Sequence, residues 1–154
     1  MNPLQQCKFC HLIPPAVIKD DASHTTSVVD CLGWDSAVAV LSIGATDVAY
    51  ADIDIQESDN NSSWSEVAAT DFTDNTQVDM DGTALALPDA NADNTIIAIH
   101  LDLKKRKRYL KMTSTAGNGS AGTYASAIMI LSRGETLPNT SAEMCGTGGI
   151  AVIV

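Results

Sequence analysis

The chain has 154 residues, 45% of them hydrophobic, 18% charged and 5% aromatic, with a net charge of −10. That length supports one well-formed core and excludes a large multidomain enzyme. The acidic balance opposes binding to free nucleic acid, and no run of about 18 apolar residues is present to span a membrane.

Charge is unevenly placed. Residues 1–103 carry seventeen acids against Lys8 and Lys19, whereas six bases (Lys104, Lys105, Arg106, Lys107, Arg108 and Lys111) fall within eight residues. Nothing at Met1–Gln6 reads as a secretory signal, and Cys7, Cys10, Cys31 and Cys145 are too few and too irregular for a disulfide framework, so synthesis in a reducing compartment is expected.

In chain order, residues 1–30 read as an extended arm. They hold Pro3, Pro14 and Pro15 and only short apolar pieces, with at most a turn of helix over Asp20–Val29. Ser36–Ile43 is an apolar run of strand length. Val48–Gln56 alternates apolar residues with Asp52 and Asp54, which places those carboxylates on a solvated face. Ser58–Ser63 is turn chemistry, pinned by a buried Trp64 at the start of a returning strand over Trp64–Ala68. Asp71–Asp81 reads as an acidic loop or edge and Thr83–Leu87 as a short strand. Thr95–Leu103 is the clearest strand, followed by the basic run, a strand over Tyr109–Ser114, a Gly-rich loop over Ala116–Gly122 and a last core strand over Tyr124–Leu131. Many short strands separated by turns, with no 3.6-residue stripe, give an all-β sandwich over residues 31–140. Residues 141–154 read as a second arm. Its end, Ile150-Ala151-Val152-Ile153-Val154, is β-prone and apolar on both faces, and has to dock on its own body or on a partner.

Three local patterns invite chemistry. Cys7-Lys8-Phe9-Cys10-His11 has the spacing of a haem c attachment site, and with His24 or Cys31 could be part of a zinc site. Without export or a second ligand pair, chance spacing is the favoured reading and no cofactor is expected. Gly117-Asn118-Gly119-Ser120-Ala121-Gly122 matches the dinucleotide pattern, but a strand and not a helix follows, so a hairpin loop is expected. The three histidines are scattered, and no nucleophile or acid–base pair is legible, so an enzyme is not expected. The basic run reads either as a contact surface for an acidic partner, as edge protection, or less readily as a nucleic-acid patch.

The stretches DVAYADIDIQESDNNSSWSEV (47–67), NTIIAIHLDLKKRKRYLK (94–111) and AGTYASAIMILSRGETLPN (121–139) resemble the capsid decoration, or cement, proteins of tailed bacteriophages. The marks are Gln56-Glu57-Ser58-Asp59 ahead of Ser63-Trp64, Arg106-Lys107-Arg108-Tyr109-Leu110-Lys111, and Ser132-Arg133. The resemblance implies a jelly-roll-like sandwich, a place on the virion capsid after synthesis in the host cytoplasm, the major capsid protein as partner, and a homotrimer. A tail, neck or fibre role is the alternative. The contact residues expected on this basis are the six bases of 104–111 together with Ile150, Val152 and Val154.

Overall fold

The computed structural model of the chain describes residues 6–68, 87–136, 138 and 140–146. The strands are β1 (Lys8–Ile13), β2 (Val29–Asp30), β3 (Trp34–Ile43), β4 (Asp52–Ser58), β5 (Ser65–Glu66), β6 (Ile96–Asp102), β7 (Tyr109–Thr115) and β8 (Ala125–Gly134). A short helix, α1 (Ser141–Cys145), follows. It is opened by a capping box in which Thr140 and Glu143 satisfy each other's backbone N–H. Among the described residues no helix is long and apolar enough to cross a membrane.

The strands form two antiparallel four-stranded sheets, ordered β1-β8-β3-β6 and β2-β7-β4-β5. Strand 1 pairs with 8, 2 with 7, 3 with 6 and 4 with 5. The chain is thus a long hairpin, doubled back at the β4–β5 turn and rolled so that alternate pairs fall in opposite sheets. This is the two-Greek-key order of a jelly roll, and the expected β-sandwich is the fold observed.

The inner faces share one core built from both sheets. Its thinness follows from register. Across β3 and β8, Ala37 faces Leu131, Ala39 faces Met129, Leu41 faces Ala127 and Ile43 faces Ala125. Each of these rows therefore pairs one alanine with one large side chain, the large one lying on β8 in the first two rows and on β3 in the last two. Facing small with large keeps each row at similar volume, and the second sheet covers it with the buried side chains of Ile53, Ile55, Leu110 and Met112.

Two expectations at the N-terminus are corrected. Residues 8–13 belong to the body: β1 pairs with β8, with Phe9 opposite Ile130 and a bulge between His11 and Ile13, and Leu12 and Ile13 are core residues. Pairing with an apolar strand more than a hundred residues away outweighs the weak local pattern. Asp20–Val29 is not helical; Lys19 bridges Thr123 and Ser23 bridges Thr115. His24 is buried among these bridges. Its Nδ1 lies 3.2 Å from the Ser114 carbonyl oxygen and its Nε2 3.2 Å from that of Thr123, so the ring ties this segment to the ends of both sheets. The acidic stretch 71–81 lies outside the described residues, as does all but Leu87 of the strand expected over 83–87.

The row rule is testable. Ala39→Leu should cost about 1–3 kcal/mol by overpacking and Met129→Ala about 2–5 kcal/mol through the cavity it leaves. Because they share a row, the double variant should be more stable than the sum of the two losses predicts. Chemical denaturation of the four proteins measures this, and simple additivity would refute the row pairing.

Candidate functional site: the basic corner

The crossing from β6 to β7 carries the basic run over one end of the sandwich. Leu103–Lys105 makes a single 3₁₀ turn, capped by the Asp102 carboxylate, which accepts from Lys104 N–H. That turn reverses the chain within a few residues and fans the bases out toward different strand ends.

Most of them meet the protein's own groups. Lys104 Nζ lies 3.2 Å from Asp35 at the start of β3, and both side chains are exposed. The Arg106 guanidinium points inward and is 10% exposed, 3.6 Å from the Glu57 carboxylate on β4, itself 14% exposed. The same Glu57 oxygen accepts the backbone N–H of Lys107 at 3.2 Å. Lys107 Nζ donates to Ser65 Oγ on β5 at 2.9 Å. Arg108 makes a two-pronged pair with Asp30 on β2, at 2.9 and 2.7 Å, and stacks over the Tyr109 ring. Lys111 sits over the Trp64 ring, 4.4 Å from its centroid. Trp64 is half-buried at the surface and not a core residue, so the expectation that it pins the turn from inside is corrected. The turn is held by Asn60, whose side chain accepts from Ser62 and Ser63 N–H. Of the six bases, Lys105 is exposed and, among the described residues, shows no such contact.

The Arg108 guanidinium holds the Asp30 carboxyl below the usual carboxylate range, ahead of burial, which acts in the other direction. At an exposed site this pair contributes at most about 1 kcal/mol. Glu57–Arg106 is different: both ends are largely desolvated, and removing one leaves the other buried and uncompensated. Beside the corner, Asp35, His100, Asp102, Lys104 and Arg133 line an open groove of about 420 Å³ on the outer face of the first sheet. Arg133 there adopts a left-handed backbone, with φ of 58°.

The Cys-x-x-C-His pattern does not assemble. Side chains alternate along β1, so Cys10, opposite Met129, points inward while His11, opposite Ile128, points out. None of the four cysteines is in a disulfide, and burial pushes the Cys7, Cys10 and Cys31 thiols up, Cys31 to about 12. Such thiols are poor metal ligands. Among the described residues no three His, Cys, Asp or Glu side chains are grouped to hold a metal ion.

The Gly-rich loop joins β7 to β8 across the two sheets and does not close a hairpin. It does cradle an anion, but the anion is Asp47: its carboxylate accepts N–H groups of Ser120, Ala121 and Gly122 at 2.6, 2.6 and 3.0 Å. These bonds hold the Asp47 carboxyl below its ordinary range. Gly122 makes the wrap possible, with φ of 85° and the Lys19 carbonyl where a Cβ would stand.

Asp54 is the residue that sequence reasoning placed wrongly. Alternation puts it on the outer face of β4, yet it is 4% exposed, and among the described residues one carboxylate oxygen has no hydrogen-bond partner. Burial pushes its pKa up to about 6, and Thr113 counteracts this in part. Ile150, Val152 and Val154, expected as contacts, lie outside the described residues.

No family model and no curated protein matches the chain. Among solved structures, the SPBc2 prophage-derived protein YomS is similar over 82% of this chain and 93% of its own, at 11% identity and a TM-score of 0.47.

Two outcomes follow from this geometry. Glu57→Ala should lower stability by about 3 kcal/mol, whereas Lys105→Glu should change it by no more than about 0.5 kcal/mol; urea melts of the two variants distinguish a buried clasp from a merely decorated edge. Asp54 has a folded-state pKa above its unfolded one. Its contribution is complete below the unfolded value near 3.8 and is lost as pH rises through about 6. Asp54→Asn should therefore gain roughly 2 kcal/mol over the parent at pH 7.5 and little at pH 4, read as the difference between two pH–stability curves.

Proposed function

We propose that the chain is a non-enzymatic structural protein of a tailed-bacteriophage virion. In this reading it sits on the outer capsid surface as a decoration or cement protein, as a trimer bound to the major capsid protein. What carries the reading is a convergence. Two of the three sets of residues that resemble decoration proteins lie about fifty positions apart in the sequence, yet meet in one corner: Glu57 with Arg106 and Lys107, Trp64 with Lys111, and Ser58 opposite Tyr109 in the β4–β7 ladder. The shared residues are thus the ones that close one end of the jelly roll. A resemblance carried by fold-holding residues is what a family of capsid-binding β-sandwiches would retain while its contact surfaces change.

The corner also sorts the bases by role. Arg106, Lys107, Arg108 and Lys111 hold strand ends together, while Lys105, with exposed Lys104 beside it, is left to meet an acidic partner. Trimeric display would turn three modest contacts into strong attachment by raising the effective concentration of the second and third.

Quantitative mass spectrometry of gradient-purified particles tests the assignment. A copy number comparable with that of the major capsid protein is the expected result. A dozen copies or fewer would move the chain to the tail or neck, and absence would discard the virion reading. Lys105→Glu should reduce capsid occupancy several-fold with an unchanged melting curve; full occupancy would remove the basic corner as a contact.

A further inference from the structure

The Gly-rich loop between β7 and β8 is held by two carboxylates from elsewhere in the chain. Asp47 takes the N–H groups of Ser120, Ala121 and Gly122, and Asp20 Oδ1 takes the Gly119 N–H at 2.8 Å. Backbone bonds add to this. Lys19 and Thr123 exchange N–H···O bonds at 3.1 and 2.7 Å, and the Asp21 N–H donates to the Gly117 carbonyl at 2.9 Å. The loop thus ties residues 19–21 to the crossing between β3 and β4. It has no slack: a Cβ at Gly117 would collide with the Ala49 carbonyl, and one at Gly119 with the Asp47 carboxylate. Packing therefore requires glycine at 119.

The residue before it is Asn118, and Asn118-Gly119 is the sole Asn-Gly pair of the chain. Asn118 is exposed and, among the described residues, its side-chain amide shows no hydrogen-bond partner that would hold it in one rotamer. Asparagine is among the thermolabile side chains. The parts of one reaction are brought together here. Asn118 Cγ is the electrophile. The Gly119 nitrogen, unhindered for want of a Cβ, is the nucleophile one residue on, so ring closure is intramolecular. Asp20 Oδ1 stands within hydrogen-bond reach of the proton that this nitrogen must lose.

We propose that Asn118 is a self-modification site, deamidated in the folded protein with Asp20 as the base. The Gly119 nitrogen bonds to Asn118 Cγ while its proton passes to Asp20. The Cγ–Nδ2 bond then breaks, the proton goes to the departing nitrogen, and ammonia leaves behind a five-membered cyclic imide. Water opens the imide at either carbonyl. Opening at Cγ gives aspartate at 118; opening at the main-chain carbonyl gives isoaspartate, in which the main chain runs through Cγ. Water is the sole co-reactant.

Both products strain the loop. Each adds a carboxylate next to those of Asp20 and Asp47, and like charges repel. Isoaspartate also adds a methylene to a main chain that is already in close contact at Gly117 and Gly119. The bonds displaced are those of Gly119 to Asp20 and of Asp21 to Gly117, so residues 19–21 come loose while the paired strands keep their ladders. The modification loosens one end of the sandwich with the age of the molecule. It concerns the chain alone and stands or falls separately from the capsid reading.

Peptide mass spectrometry of the full chain, aged at mildly alkaline pH in native buffer and in urea, tests the proposal. Aspartate and isoaspartate at 118 are expected to build up in the native protein ahead of every other asparagine, and several-fold faster than in the unfolded chain, where Asp20 is remote. Asp20→Asn keeps an oxygen to accept the Gly119 N–H but supplies no base. It should slow the reaction several-fold with an unchanged circular-dichroism melt, which a purely structural Asp20 would not do. If that variant does not fold, the comparison of native with unfolded protein decides alone. The aged fraction, separated by ion exchange, should show faster hydrogen exchange at the Lys19, Asp21 and Thr123 amides and parent-like exchange in β3 and β8. A native rate at or below the unfolded one, an Asp20→Asn variant that reacts as fast as the parent, or an aged fraction with the parent's exchange throughout would each overturn the proposal.

Discussion

Six positive charges within eight residues can occupy one crossing between sheets only if the surrounding strand ends supply countercharge. Here β2, β3 and β4 each supply one, in Asp30, Asp35 and Glu57, while β5 supplies a hydroxyl and the turn before it an aromatic face. The repulsion within the run becomes a set of attractions pointing in different directions. Each is modest, but together they fix where four strand ends lie relative to one loop. The Glu57 carboxylate is central because it serves two consecutive residues, holding the Arg106 side chain and the Lys107 backbone. An acidic chain with one basic crossing thus converts its charge asymmetry into a geometric constraint at one end of the sandwich.

The parts of this fold legible in the sequence are those with strong local periodicity. β4 and β6 follow from apolar alternation, β3 from a short apolar run and β7 and β8 from strand-forming stretches bounded by turns, and the sandwich class follows from their number and spacing. β1 was hidden because Phe9-Cys10-His11 lacks a clean alternation and its partner lies at the other end of the chain. Asp54 was misplaced for a related reason: period two assigns a face, but whether that face is wet depends on what packs over it. The partners of the basic run were present as a signal, since Asp30, Asp35 and Glu57 all sit at strand ends. Only the rolled topology says that those ends share one corner. The Gly-rich stretch is a loop, as expected, but it crosses between the sheets where a hairpin is expected, and its carboxylate guest, Asp47, comes from a different crossing.

The acids of this chain act in opposite directions. Asp30 and Asp47 are stabilised as anions by a guanidinium and by three backbone N–H groups, so what they contribute is lost as pH falls through their lowered values. Asp54 is stabilised as the neutral acid, and what it contributes is lost as pH rises. Self-repulsion at a net charge of −10 adds to the second trend. Stability is then greatest in a mildly acidic window, between the protonation of the first two and the ionisation of the third.

β8 lies between β1 and β3 and is made last among the eight strands. Until the ribosome has delivered residues 125–134, the first sheet lacks an inner member, and the strands that will flank it present two open edges to each other and to the cell. Until then β3 is paired on one edge only, with β6, and β1 has no partner strand in its sheet. The nascent chain is therefore committed to late, cooperative closure with high contact order. Premature termination anywhere before Ala125 would yield a chain with sticky edges and not a smaller stable domain.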